Sequence, residues 1–235
     1  MSKPRPLTRR IGQHLIEYED LSLTVFLIVL CLLSFGLLPL LEMTDLTSKL
    51  ISAAYTLLFV AGAFIGGLTG GWRAFAFSLA SVSILSAWLG DGSGAGFWET
   101  ASLVSATIFM VFVCFQLTRE VFRPGEVNEH RIRGAVAIYL LIGFIFALLF
   151  VLFEQLASGS FRGLGPDGFG DDMHIAVYFS FVTLTTLGYG DITPVSELAQ
   201  TLVLVEAIIG QLFLVILIGR LVSLSAAGTE TPNEL

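Results

Sequence analysis

The run Thr185-Thr186-Leu187-Gly188-Tyr189-Gly190-Asp191 places glycines, hydroxyls and one aromatic in an order suited to stripping water from a monovalent cation. Gly188 and Gly190 reach backbone angles that a side chain forbids. Successive carbonyls can then point the same way, instead of alternating as they do in a strand. Rings of such carbonyls can replace an ion's hydration shell. The Thr186 hydroxyl offers one more oxygen at the inner end. The ring of Tyr189 is expected to point away from the axis and brace the loop from behind. Non-helical backbone of this kind persists at membrane depth only where it lines a water-filled path or is buried in protein.

The elements around the loop must therefore be membrane elements. The chain has 235 residues, 55% hydrophobic and 13% charged; a soluble domain carries about 25% charged residues. Apolar runs of about 20 residues, the length of a span, occur at 21–41, 50–69, 72–89, 100–118, 134–156 and 196–223. The segment Met173–Thr185 is apolar but too short to span, which predicts a re-entrant helix. Asp171 and Asp172 stand at its start, where acids suit a helix N-terminus. The expected fold is an all-α membrane protein of six spans with a re-entrant helix and loop. It divides into an N-terminal segment (1–20), a four-helix domain (21–118), a polar linker (119–133), a second membrane domain (134–223) and a short tail (224–235).

Sidedness follows from the basic residues. Of the 12 Lys and Arg, all but Lys49 and Arg162 fall on one face of this arrangement. The positive-inside rule makes that face cytoplasmic. Both termini are then expected in the cytoplasm and Gly188–Asp191 on the outer side. The run at 21–41 is too long for a signal peptide's apolar region and no small-residue cleavage site follows it. Cys31 and Cys114 lie inside apolar runs and read as small buried hydrophobes. An acidic balance without a basic stripe argues against nucleic-acid binding.

With these residues in place, Thr186-Leu187-Gly188-Tyr189-Gly190-Asp191 resembles the signature of the tetrameric potassium channels, usually Thr-Val-Gly-Tyr-Gly-Asp. The resemblance extends over about 134–223: outer helix, turret loop, pore helix, filter, inner helix. It implies that Thr186, Leu187, Gly188 and Tyr189 coordinate K⁺ in a homotetramer, which conducts passively and is no enzyme. K⁺ is the cargo, and no cofactor is expected. Leu187 in place of Val is a mild departure at a position that contributes a carbonyl. Thr185, Gly190, Asp191 and Tyr178 are expected to support the filter, Asp191 by a bond behind it. Tyr178, Phe179 and Phe181 are candidates for an aromatic cuff; simple core packing is the plainer reading.

The last span carries an outlier, Glu206, since a carboxylate within a span is costly and points to function. Two roles are open: an ionised group near the cavity, or a hydrogen-bonded or protonated group between subunits behind the pore helix. The second is preferred, with a supporting role toward the filter. Gly210 matches the family's hinge position, and close packing explains it equally well. Gln211, Leu214 and Ile218 are candidates for the cavity wall.

The fourth run, 100–118, contains no Lys or Arg. A voltage sensor moves such charges at about 2.3 kcal/mol each per 100 mV, so little voltage dependence is expected. The small residues Gly62, Gly66, Gly67 and Gly71 suit helix packing. The tail is too short for a ligand-binding domain, so gating is expected to be intrinsic or supplied by a separate regulatory subunit. A weakly selective cation channel and the pore subunit of a transport complex are the alternatives. The lipid bilayer of a cell inner or plasma membrane is the expected setting.

Overall fold

A computed structural model describes residues 24–32, 56–58, 60–62, 71–93, 96–123, 129–165, 168–169 and 173–229. The segment 1–20, most of the first two runs, Gly66, Gly67, Asp171 and Asp172 lie outside these residues. The remainder is almost wholly helical. The helices are α1 (Gly71–Ser93), α2 (Gly96–Val121), α3 (Glu129–Leu156), α4 (Met173–Leu184) and α5 (Glu197–Thr229). Two short strands, β1 (Phe161–Arg162) and β2 (Thr193–Pro194), pair antiparallel, with Phe161 opposite Pro194.

Three of the described helices are long and apolar enough to cross a membrane: Gly96–Val121, Arg131–Leu156 and Glu197–Arg220. Within α1, Ala74–Ser86 forms a shorter apolar stretch. The chain is a helical membrane protein. Its helices reach further than the apolar runs. The linker expected at 119–133 is helical at both ends, since α2 continues to Val121 and α3 begins at Glu129.

The ends of the helices have local causes. Neither α3 nor α5 contains proline, which would break the backbone ladder. Ser196 caps α5 by accepting a bond from Ala199 N at 3.2 Å. Beyond the end of α3, the Glu154 carboxylate accepts bonds from Gly159 N at 2.6 Å and Ser160 N at 3.0 Å. Gly159 has a φ of 83°, a turn that leads the chain into β1.

Close approaches fix the helix contacts. Ser83 donates to Ser105 at 2.9 Å between α1 and α2, both buried. A Cβ at Gly62 would meet the Phe109 ring at 3.0 Å, and one at Gly134 would meet Val121 at 2.7 Å. Arg133 on α3 donates to Thr24 at 2.9 Å. The densest core lies on α3, where Ile138, Leu141, Phe144, Ala147 and Phe150 are fully or almost fully buried. Against it pack α4, β1 and the inner face of α5.

Candidate functional site

The helix α4 is 12 residues long, about 18 Å at 1.5 Å per residue, against a hydrocarbon core of about 30 Å. It ends at Leu184, and Thr185 and Thr186 form the turn that follows. Thr186, Gly188 and Gly190 then take φ values of 60°, 56° and 79°. Leu187 and Tyr189 between them do not. Thr186 is the one non-glycine residue with positive φ among the described residues. This alternation of left- and right-handed backbone turns successive peptide planes the same way.

The N–H groups show which way they turn. Leu187 N and Gly188 N bond back to the Val182 carbonyl, at 2.9 and 3.4 Å, and Thr186 N bonds to Thr183 O at 2.9 Å. Among the described residues no backbone N–H bonds to the carbonyls of Thr186, Leu187, Gly188 or Tyr189. The donors face α4 and the carbonyls take no backbone partner within the described chain. The Thr186 hydroxyl donates its proton to Thr185 O at 2.7 Å, so its lone pairs remain for a cation. Thr185 Oγ1 donates to Phe181 O at 2.5 Å, tying the turn to α4.

The C-terminal end of the loop is held to the same helix. Tyr178 Oη donates to Asp191 Oδ2 at 2.7 Å. The Tyr178 ring also stacks on Tyr189, with centroids 6.5 Å apart and planes 12° apart. The bond from Tyr178, aided by the N–H groups of Ile192 and Asp191 itself, holds the Asp191 carboxyl below its ordinary value. The same bond to Asp191 pushes the Tyr178 phenol up. Gly163, with a φ of 92°, lies so close that a Cβ there would sit 1.8 Å from Asp191 O. The loop at Gly163 and the end of the 185–191 loop therefore fit backbone to backbone, an approach the sequence did not announce.

Of the three cuff candidates, Tyr178 stacks its ring on Tyr189 of the loop. For the other two, the contacts within this chain are those of plain core packing. Phe179 packs among Phe150, Phe161 and Phe169. Phe181 lies against Phe144 and over Gly143. Two residues apart on the helix, they point different ways, Phe179 toward Phe161 and Phe169 and Phe181 toward the Phe144 side of α3.

Glu206 is fully buried. It lies within one chain and away from any open surface, under α4 and α3. Its Oε1 pairs with Ser180 Oγ, and Ser180 Oγ also donates to Gly143 O at 2.7 Å. Ser180 was not singled out by its sequence. Gly210, one turn further, is buried beneath the end of α4. A Cβ there would meet Leu184 Cδ1 at 2.6 Å and Leu184 O at 3.0 Å. Gln211 and Ile218 are exposed and Leu214 is partly so. In the outer helix 72% of the span is buried, against 11% in the inner helix. One chain thus leaves most of α5, and all of 185–191, uncovered.

An apolar helix pair, a short helix between them and a loop of alternating backbone hand make up this half of a helical membrane protein. Residues 135–226 match the family described as "Ion channel". Comparison with curated proteins gives no match.

Proposed function

We propose that this chain is the subunit of a homotetrameric, K⁺-selective channel. The alternating backbone at Thr186–Gly190, with its unpaired carbonyls, carries this reading. Four loops around an axis would supply rings of oxygens from Thr186, Leu187, Gly188 and Tyr189, plus the Thr186 hydroxyl. K⁺ would pass by exchanging hydration water for these rings. The uncovered surface of α5, with Leu204, Ile208, Leu212 and Val215 exposed, leaves room for further copies to pack against it.

The process is passive conduction. Both termini lie in the cytoplasm on this reading, and the filter opens toward the outer face. Gln211, Leu214 and Ile218 line the inner cavity. The helix α2 carries no Lys or Arg before Arg119, so membrane voltage has no charges to move within it. Proteoliposomes holding the purified protein test the reading. K⁺ efflux that Ba²⁺ blocks and that Gly188→Ala abolishes is the expected result. Efflux equal for K⁺ and Na⁺, or unaffected by Gly188→Ala, contradicts it.

A further inference from the structure

Ser180 makes one hydroxyl proton serve two neighbours. Its Oγ lies 2.7 Å from Gly143 O and in hydrogen-bonding contact with Glu206 Oε1. Both neighbours are acceptors if Glu206 is ionised. A serine has one O–H to donate, so one of the two contacts would then set lone pairs against lone pairs. The other carboxyl oxygen, Oε2, is buried without a hydrogen-bond partner. An ionised carboxylate there would hold a bare negative oxygen in an apolar interior, a costly arrangement.

A neutral acid removes both conflicts. With its proton on Oε1, Glu206 donates to Ser180 Oγ, and Ser180 donates to Gly143 O. The unpartnered Oε2 is then a carbonyl oxygen, whose desolvation costs far less than that of a charge. We propose that Glu206 is a protonated carboxylic acid and Ser180 a positioning residue, joined in a one-way relay Glu206→Ser180→Gly143. The relay crosses three helices: α5 supplies the acid, α4 the hydroxyl and α3 the carbonyl. Ser180 stands one turn before Thr185, so the relay fixes the depth and rotation of α4 and hence the start of the filter. This role rests on the proposed channel reading; the protonation state does not. Tyr139 on α3 is the titratable group nearby, and its hydroxyl reaches Leu184 O at 3.4 Å.

Infrared spectroscopy of the purified full chain tests the relay without any need for conduction. At neutral pH the wild type is expected to show a protonated-carboxyl C=O band that Glu206→Gln removes and Tyr139→Phe keeps. Ser180→Ala is expected to move that band to higher frequency, because the acid loses its acceptor. If Glu206→Gln removes only a carboxylate band, or if Ser180→Ala leaves the carboxyl band where it was, the relay is wrong. Should Ser180→Ala fail to fold, a pH titration of the wild-type band decides: its presence at neutral pH is required, and its absence overturns the proposal. For positioning, Ser180→Ala is expected to lower the melting temperature of the assembly in K⁺ and to narrow the gap between K⁺ and Na⁺. An unchanged K⁺-dependent gap contradicts that role. A band found in a protein that conducts nothing would leave the relay standing and remove the channel reading.

Discussion

Tyr178 Oη donates a 2.7 Å hydrogen bond to Asp191 Oδ2 across the back of the filter loop. The loop leaves the inner end of α4, and this bond returns its outer end to the same helix. Its strength depends on protonation. The Asp191 carboxyl is held below its ordinary value, so the bond's contribution is fully present above the usual carboxylate range. It is lost as pH falls through the lowered value. Tyr178→Phe keeps the stacked ring but removes the donor. We expect external acid to reduce K⁺ current at higher pH in Tyr178→Phe than in wild type, with faster inactivation at neutral pH. Currents recorded against external pH check this.

Gly163→Ala should disturb the same bond from the other side. The added carbon would overlap Asp191 O, and the residue would also be strained at a φ of 92°. The left-handed backbone alone costs about 1–2 kcal/mol for a residue with a side chain. We expect a less stable assembly and a filter that inactivates more readily, read by thermal melting in K⁺ and by current decay.

Gly210→Ala separates packing from hinging. Leu184 Cδ1 can move aside, but Leu184 O at 3.0 Å is backbone. Overpacking costs about 1–3 kcal/mol. A packing role predicts a lower melting temperature for Gly210→Ala. A pure hinge role predicts altered open probability at unchanged stability.

Arg220 ties the end of the apolar stretch of α5 to the end of α2. Its guanidinium donates to Arg123 O at 2.6 Å and lies 4.9 Å over the Phe122 ring. Arg131 donates to the same carbonyl at 3.0 Å. For a partly exposed group this tether contributes about 1 kcal/mol. Arg220→Ala is expected to speed amide exchange near 216–222 about fivefold, with that of 135–150 unchanged. Hydrogen-exchange mass spectrometry reads both segments.

The spans of the C-terminal half were legible because apolar runs without proline leave few choices. The run 134–156 became a span at Arg131–Leu156, and 196–223 one at Glu197–Arg220. The short segment from Met173 became a helix one residue shorter than expected, because Thr185 turns to start the loop. Gly188 and Gly190 announced positive φ, but Thr186 did not; its value reflects the alternation imposed by its neighbours. Contacts between distant segments were not legible. Ser180 is an ordinary serine until α3 and α5 bring Gly143 O and Glu206 to it. The fit of Gly163 on Asp191 depends on the β1–β2 pairing, and two-residue strands leave no periodic signal. Phe179 and Phe181 were assigned by position along α4, whereas their facing is set by where α3 and the turret lie.

Reversal potential in mixed K⁺ and Na⁺, with the purified protein in a planar bilayer, tests the central claim most directly. With K⁺ on one side and Na⁺ on the other, the account predicts a reversal potential close to the K⁺ equilibrium value. It further predicts a shift toward zero when Thr186, Gly188 or Tyr189 is replaced. A wild-type reversal potential near zero would contradict the assignment of K⁺ selectivity to the carbonyls of Thr186–Tyr189.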